Sequence, residues 1–359
     1  MKIPFFKDND KEKTPAQTIV EDVCAIKKGE SVLIIANPET SAIAQDLYTA
    51  SLDAGASPSL MFQPKKSSLD MAEKAVICAI KSEPDVIFSI SANKLGKDEE
   101  ALANPYTDAA GQKYSNIFDY LLSGIKSVRA VWTPGLTQDM YERTVNIDYR
   151  LLSERCKKIC ALFENAKSVK VTSPAGTDFT VCVEGRKALT DDGDFTKPGT
   201  GGNVPSGEVF ISPVVGKSSG VIVFDGSMTF SDGDAMLETP IRATVKDGFV
   251  TDIQGDKEAK RLLKDITAAE KQSATDEYRR NARNIGELGI GLNPAANITG
   301  NMLEDEKAFR TCHFAIGENY DGDAPALIHF DGIVCSPTIE IEYPDGTSFV
   351  LLEKGDLKI

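Results

Sequence analysis

Along the first third of the chain, two hydrophobic patterns alternate. Residues 32–36, 59–62, 85–90 and 128–132 are short runs of strand length, too brief for helices and bounded by turn residues. Between them the apolar positions follow helical spacing. Residues 15–26 read as an entry helix. Ile43, Leu47, Ala50 and Ala54 share one face of a helix capped at Thr40 or Ser41 and stopped by Gly55, which tolerates the left-handed conformation at a helix end. Leu69, Ala72, Val76 and Ile80 share a face of another, capped by Ser67 or Ser68. Strands alternating with helices imply right-handed crossovers and a mainly parallel sheet, so the first domain is expected to be a doubly wound α/β layer.

The pattern changes after a long amphipathic helix at 148–166, which carries Leu151, Leu152, Ile159 and Leu162 among charges. Runs at 169–171, 179–183, 209–211, 221–224, 241–245 and 249–253 are short and strand-like. Lys246-Asp247-Gly248 and Pro344-Asp345-Gly346 have the composition of hairpin turns. One helix interrupts, opening at Asp256 after Gly255. The reading is therefore an α/β scaffold domain at 1–165 and a predominantly antiparallel α+β domain at 166–359 that binds metal and carries the chemistry.

Composition narrows the function. A chain of 359 residues is long for one core, and a formal charge of -14 disfavours nucleic acid and anionic membranes as partners. The charged start lacks the apolar stretch of a signal peptide, and no apolar run reaches membrane-spanning length, so a cytoplasmic protein is expected. The seven cysteines are scattered, which suits reduced thiols. The first strand runs into Ala36-Asn37-Pro38-Glu39 without the glycines of a dinucleotide or phosphate loop, so that role is rejected.

The chain has two histidines, and both lie between Thr311 and Asp331. His329 and Asp331 are two residues apart, which in a strand puts them on one face. With His313 in a similar apolar segment, they form a ligand set for a divalent metal, near Glu318 and Tyr320. Glu208 and Glu287 are carboxylates in otherwise apolar runs, a placement that requires exposure, pairing or coordination. Taken alone, both read as surface charges. The glycines at 199–202 read as a mobile loop beside the site, and Leu303-Glu304-Asp305-Glu306-Lys307 as a solvated helix face from which Glu304 or Glu306 could reach the metal. Gly216-Lys217-Ser218-Ser219-Gly220 fits the nucleophile-elbow spelling, but a strand follows where the elbow needs a helix.

Taken together, Asn203-Val204-Pro205-Ser206-Gly207-Glu208-Val209, Gly286-Glu287-Leu288-Gly289-Ile290-Gly291, His313-Phe314-Ala315-Ile316-Gly317 and His329-Phe330-Asp331 resemble the aminopeptidase T and aminopeptidase S family of metallopeptidases. The resemblance spans the second half in order. It implies a hydrolase, a two-metal aminopeptidase that acts on short peptides in proteolysis as a homodimer. Glu208, Glu287, His313, His329 and Asp331 would hold two divalent ions (Zn, Co or Mn), Glu208 or Glu287 would serve as base, and Tyr320 would donate to the oxyanion. A related branch resembles the dihydroxypyridine ring-cleaving dioxygenases, in which one ferrous ion is held by two histidines and an aspartate. His313, His329 and Asp331 would supply that triad equally well. A catalytically silent scaffold or peptide-binding protein on the same fold is the third reading.

Overall fold

The computed structural model describes residues 13–67 and 70–359. The charged start, and Ser68 and Leu69 of the helix expected from that point, lie outside the described residues. Among the described residues two compact units form, one from those up to 153 together with 191–206, the other from 154–190 with 207–359, so each is discontinuous in sequence.

In the first unit a parallel sheet runs in the order Gly201–Asn203, Arg129–Trp132, Val86–Ile90, Ser31–Ala36, Ser57–Phe62. The helix Ser41–Asp53 buries Ile43, Ala44, Leu47 and Ala50, and Gly55 at φ +80 ends it. One layer of the core joins Leu33, Ile35, Ile87 and Ala130 from the sheet to Val76, Ile77, Ile80, Leu121 and Leu122. Each such aliphatic side chain contributes roughly 1.5–3 kcal/mol when fully buried. Two expectations fail here. The helix expected from position 69 covers only Lys74–Ile80, because the preceding backbone is engaged elsewhere: Lys66 bridges Lys94, and Ala72 N donates to Lys97 O. The glycine-rich 199–202 stretch is also no loose loop. Gly201–Asn203 is the fifth strand, and a Cβ at Gly201 would lie 2.5 Å from Ala130 O.

The second unit is built from antiparallel strands. Six of them follow the order Gly233–Met236, Ser227–Phe230, His329–Cys335, Thr311–Gly317, Ile285–Gly291, Glu208–Ile211. A second sheet runs from Phe249–Gln254 through Ile241–Lys246, Ser219–Phe224, Asp178–Cys182, Ser168–Thr172, Thr338–Glu342 and Ser348–Glu353 to Asp356–Leu357. Phe179 and Phe314 meet edge to face across the two sheets, centroids 5.3 Å apart. Gly332 leaves room for Phe224, whose Cδ1 would lie 2.4 Å from a Cβ there. The Lys246-Asp247-Gly248 turn joins its hairpin with Asp247 at φ 50 and Gly248 at φ 78, the double left-handed geometry that twisted hairpins favour. An α/β region with a parallel sheet and a mostly antiparallel second part is the expected fold class. Among the described residues, no helix is long and apolar enough to cross a membrane.

Candidate metal centre

All seven residues of Thr311–Gly317 are buried, so this strand has no solvent face and period two divides it between core and site. Phe314 turns to the second sheet; His313 turns the other way. Strand register extends the site face sideways. His313 pairs with Gly289, Ala315 with Glu287 on one side and Asp331 on the other, and Gly317 with His329. One strand further, Gly289 pairs with Phe210 and Gly291 with Glu208. Directly paired residues share a face, so Glu208, Phe210, Glu287, His313, His329 and Asp331 project from one side of four adjacent strands. Small residues lie between them. A Cβ at Gly289 would lie 2.0 Å from Nε2 of His313, so the imidazole rests on bare backbone.

The side chains then close on one another. His313 Nε2 is 2.9 Å from Glu287 Oε1 and 3.5 Å from Glu208 Oε2, while His329 Nε2 is 3.5 Å from Glu287 Oε2 and 3.4 Å from Asp331 Oδ1. Glu287 therefore stands between the two imidazoles. His329 Nδ1 donates to the Glu318 carbonyl at 2.8 Å. That bond fixes the tautomer and turns Nε2 towards the carboxylates, as the outer partner of a metal-bound histidine does. The buried atoms Glu208 Oε2, Glu287 Oε2, His313 Nδ1 and Asp331 Oδ1 have no hydrogen-bond partner, an arrangement that costs free energy unless something else engages them. One ligand atom each from Glu208, Glu287 and His313 lie within 4.8 Å of one another.

The electrostatics agree. Burial lowers the affinity of His313 for a proton, yet the bond to Glu287 and the surrounding carboxylates outweigh it and raise the imidazole to about 9. His329 is lifted to about 10, burial being overcome chiefly by Asp331. Burial would raise Asp331, but its partner His329 brings it down to about 2. Burial pushes Glu287 up, with His313 opposing. Carboxylates that hold positive charge this firmly on two imidazoles form a cation-seeking cluster, and nitrogen and oxygen donors of this kind suit a divalent transition metal. The residues fit a metal ion.

Other expected participants fall into different places. Tyr320 is 61% exposed at the rim, its ring 5.1 Å from that of Phe210 and 5.3 Å from that of His329. Glu304 does not join the cluster. Its Oε1 accepts from Asn297 N at 2.7 Å. Glu306 does approach, through Lys307, whose Nζ is 2.6 Å from Glu306 Oε1 and 2.5 Å from Glu208 Oε1. Lys307 is fully buried and was missed in sequence, where it ends a run of charges that reads as solvated. The signal was its neighbours, since Met302, Leu303 and Ala308 are apolar and buried.

Residues 139–341, more than half of the chain, match the family model described as NicX: 2,5-dihydroxypyridine 5,6-dioxygenase. The 2,5-dihydroxypyridine 5,6-dioxygenase of Pseudomonas putida is 29% identical over 146 residues, which is 40% of this chain and 39% of that protein, so the match spans well under two thirds of the relative. Among solved structures, 2,5-dihydroxypyridine dioxygenase from Pseudomonas putida KT2440 superposes with a TM-score of 0.70 at 18% identity over 96% of both chains. Wild-type AmpT from Thermus thermophilus gives 0.65 at 18% identity over 96% of this chain and 98% of that one. The chain belongs to the 2,5-dihydroxypyridine 5,6-dioxygenase family.

Membership supports an enzyme and overturns the expectations of a hydrolase engaged in proteolysis and of a short peptide as substrate. The likeness to aminopeptidase T holds for the fold. A fold and a set of metal-ligand residue types can be shared by a hydrolase and an oxygenase, so they could not separate the two.

Proposed function

We propose that this member of the dihydroxypyridine dioxygenase family is a metal-dependent ring-cleaving dioxygenase acting on a dihydroxylated pyridine or a closely similar electron-rich ring. The observation that carries the reading is the placement of His313, His329 and Asp331 on one sheet face around Glu287, with buried imidazole and carboxylate atoms left without hydrogen bonds. Two histidines and a carboxylate are the donor set of non-haem ferrous oxygenases. A ferrous ion held there supplies the one-electron chemistry that lets dioxygen react with a ring.

The chain's own groups do the rest. His329, oriented by the Glu318 carbonyl, and the anionic Asp331 and Glu287 set the charge and direction of the metal-facing donors. Phe210 and Tyr320 form an aromatic wall beside His329, against which a planar ring can lie in an offset or edge-on contact. Glu208 has one oxygen held by Lys307 and the other facing the site, and it accepts a proton from a substrate hydroxyl. Tyr320 keeps its proton: most of the residue is exposed at the rim, but partial desolvation of its hydroxyl end beside the site, and then the charges of Glu287 and Asp331, raise it above the ordinary value. It is therefore a donor for a ring oxygen. Both atoms of dioxygen enter the product as one ring carbon–carbon bond breaks, so no external reductant is needed.

The test is direct. Protein loaded anaerobically with ferrous ion is given 2,5-dihydroxypyridine and oxygen; uptake of one dioxygen per ring opened supports the proposal, and no uptake by iron-loaded protein refutes it.

A further inference from the structure

The ligand atoms of Glu208, Glu287 and His313 lie close enough together to bracket a cation of their own, beside the His329 and Asp331 pair. That position already has a positive charge near it. Lys307 Nζ is 2.5 Å from Glu208 Oε1 and 2.6 Å from Glu306 Oε1, and the lysine is fully buried. Its backbone is pinned. Lys307 N donates to Glu304 O at 3.0 Å, Asn293 N donates to Lys307 O at 2.9 Å, and Asn293 bridges Ala308. A Cβ at Gly291, the register partner of Glu208, would lie 2.1 Å from Ala308 O. The segment therefore sits directly on the strand beside Glu208, and Gly291 is the residue that allows it.

We propose that the ammonium of Lys307 takes the place of a second divalent cation and thereby restricts the centre to one metal ion, held through Glu287, His313, His329 and Asp331. Glu208, Glu306, Glu287 and Asp331 offer four carboxylates, of which one ammonium and one divalent ion offset three charges. A second dication would leave excess positive charge in a buried site, and it would meet the ammonium across the carboxylate both must share. Lys307 is thus a positioning residue. It commits Glu208 to proton transfer and withholds it from the metal.

This rests on reading the five side chains as a metal centre, and the experiment separates the two ideas. Metal-stripped full-length protein is titrated with Mn(II) by calorimetry, and metal content is measured after desalting. Wild type and Lys307→Arg should bind one ion per chain, whereas Lys307→Met should bind two. Lys307→Gln, which keeps a neutral donor to Glu208, replaces the Met variant if that one does not fold and should also bind two. Combining Lys307→Met with Glu208→Gln should return the count to one. Two ions in wild type, or one in both neutral variants, overturns the inference and leaves the metal centre standing. No binding in wild type overturns both.

Discussion

Gly289 and His313 face each other across paired strands so closely that a Cβ on the glycine would lie 2.0 Å from Nε2 and 2.1 Å from Cε1 of the imidazole. Gly289 sits inside the Ile285–Gly291 strand and is not among the positive-φ glycines, so alanine meets no backbone strain and its effect is purely steric. Gly289→Ala must push the ring away from Glu287. Overpacking of a closed interior costs about 1–3 kcal/mol, and metal binding should weaken more than the stability loss alone would explain. Urea unfolding of the metal-free protein reads the first effect, and Mn(II) titration the second. An unchanged Mn(II) affinity would show that the ring position does not matter.

Glu287 is 2.9 Å from one imidazole and 3.5 Å from the other. Glu287→Gln keeps the shape and removes the charge between them. Loss of even an orienting partner of a metal ligand typically costs about 10–100-fold in affinity, so Mn(II) affinity should fall by at least that much. The folded spectrum should be retained, because glutamine fills the same volume. A Glu287→Gln protein with wild-type affinity would remove Glu287 from the centre.

The four strands at 32–36, 59–62, 85–90 and 128–132 and the six from 169–171 to 249–253 were legible because their apolar runs are short and bounded by turn residues; Ser227–Phe230 and Gly233–Met236 were not. His329 and Asp331 were legible because a two-residue spacing on a strand defines a face. Glu208 and Glu287 were not. In Ile285–Gly291 every position is buried, and nothing in a strand hydrophobic on both faces shows that its one acid points inward; a resemblance was needed to promote it. Gly201–Asn203 was misread because its glycines serve close approach to the Ala130 backbone, while glycine in sequence suggests looseness. The reaction was the least legible feature, since histidines and carboxylates of this kind serve hydrolysis and oxygenation alike.

The rim aromatic gives a prediction that separates stacking from hydrogen bonding. Tyr320 lies 5.1 Å from Phe210 and 5.3 Å from His329. Aromatic contact of this type is worth about 0.5–1.5 kcal/mol, so Tyr320→Ala should raise KM for the ring substrate by roughly 2- to 10-fold. Tyr320→Phe preserves the contact and removes the donor. It should leave KM near wild type and lower kcat if the hydroxyl supports the reacting oxygen. Equal KM values for all three proteins would place the substrate elsewhere.

The acid sensitivity of the first unit should depend on Asp85. Its Oδ2 accepts from both Ser31 N and Ser31 Oγ at 2.7 Å, tying the start of one central strand to the residue before its neighbour. The backbone bond from Ser31, followed by the Ser31 hydroxyl and Arg129, outweighs partial burial and holds Asp85 below its ordinary value of 3.8. A carboxyl whose folded value lies below its unfolded one binds fewer protons when folded, so it stabilises above the unfolded value and loses that contribution as pH falls through the folded one. The site is largely exposed, which limits the effect to about 0.5–1 kcal/mol. Asp85→Asn should therefore be less stable than wild type by that amount at pH 6, with the gap closing as pH falls below 3.8. Paired urea unfolding curves at pH 6 and pH 3 measure it; a gap of the same size at both would mean that the charge of Asp85 contributes nothing and that shape alone holds Ser31.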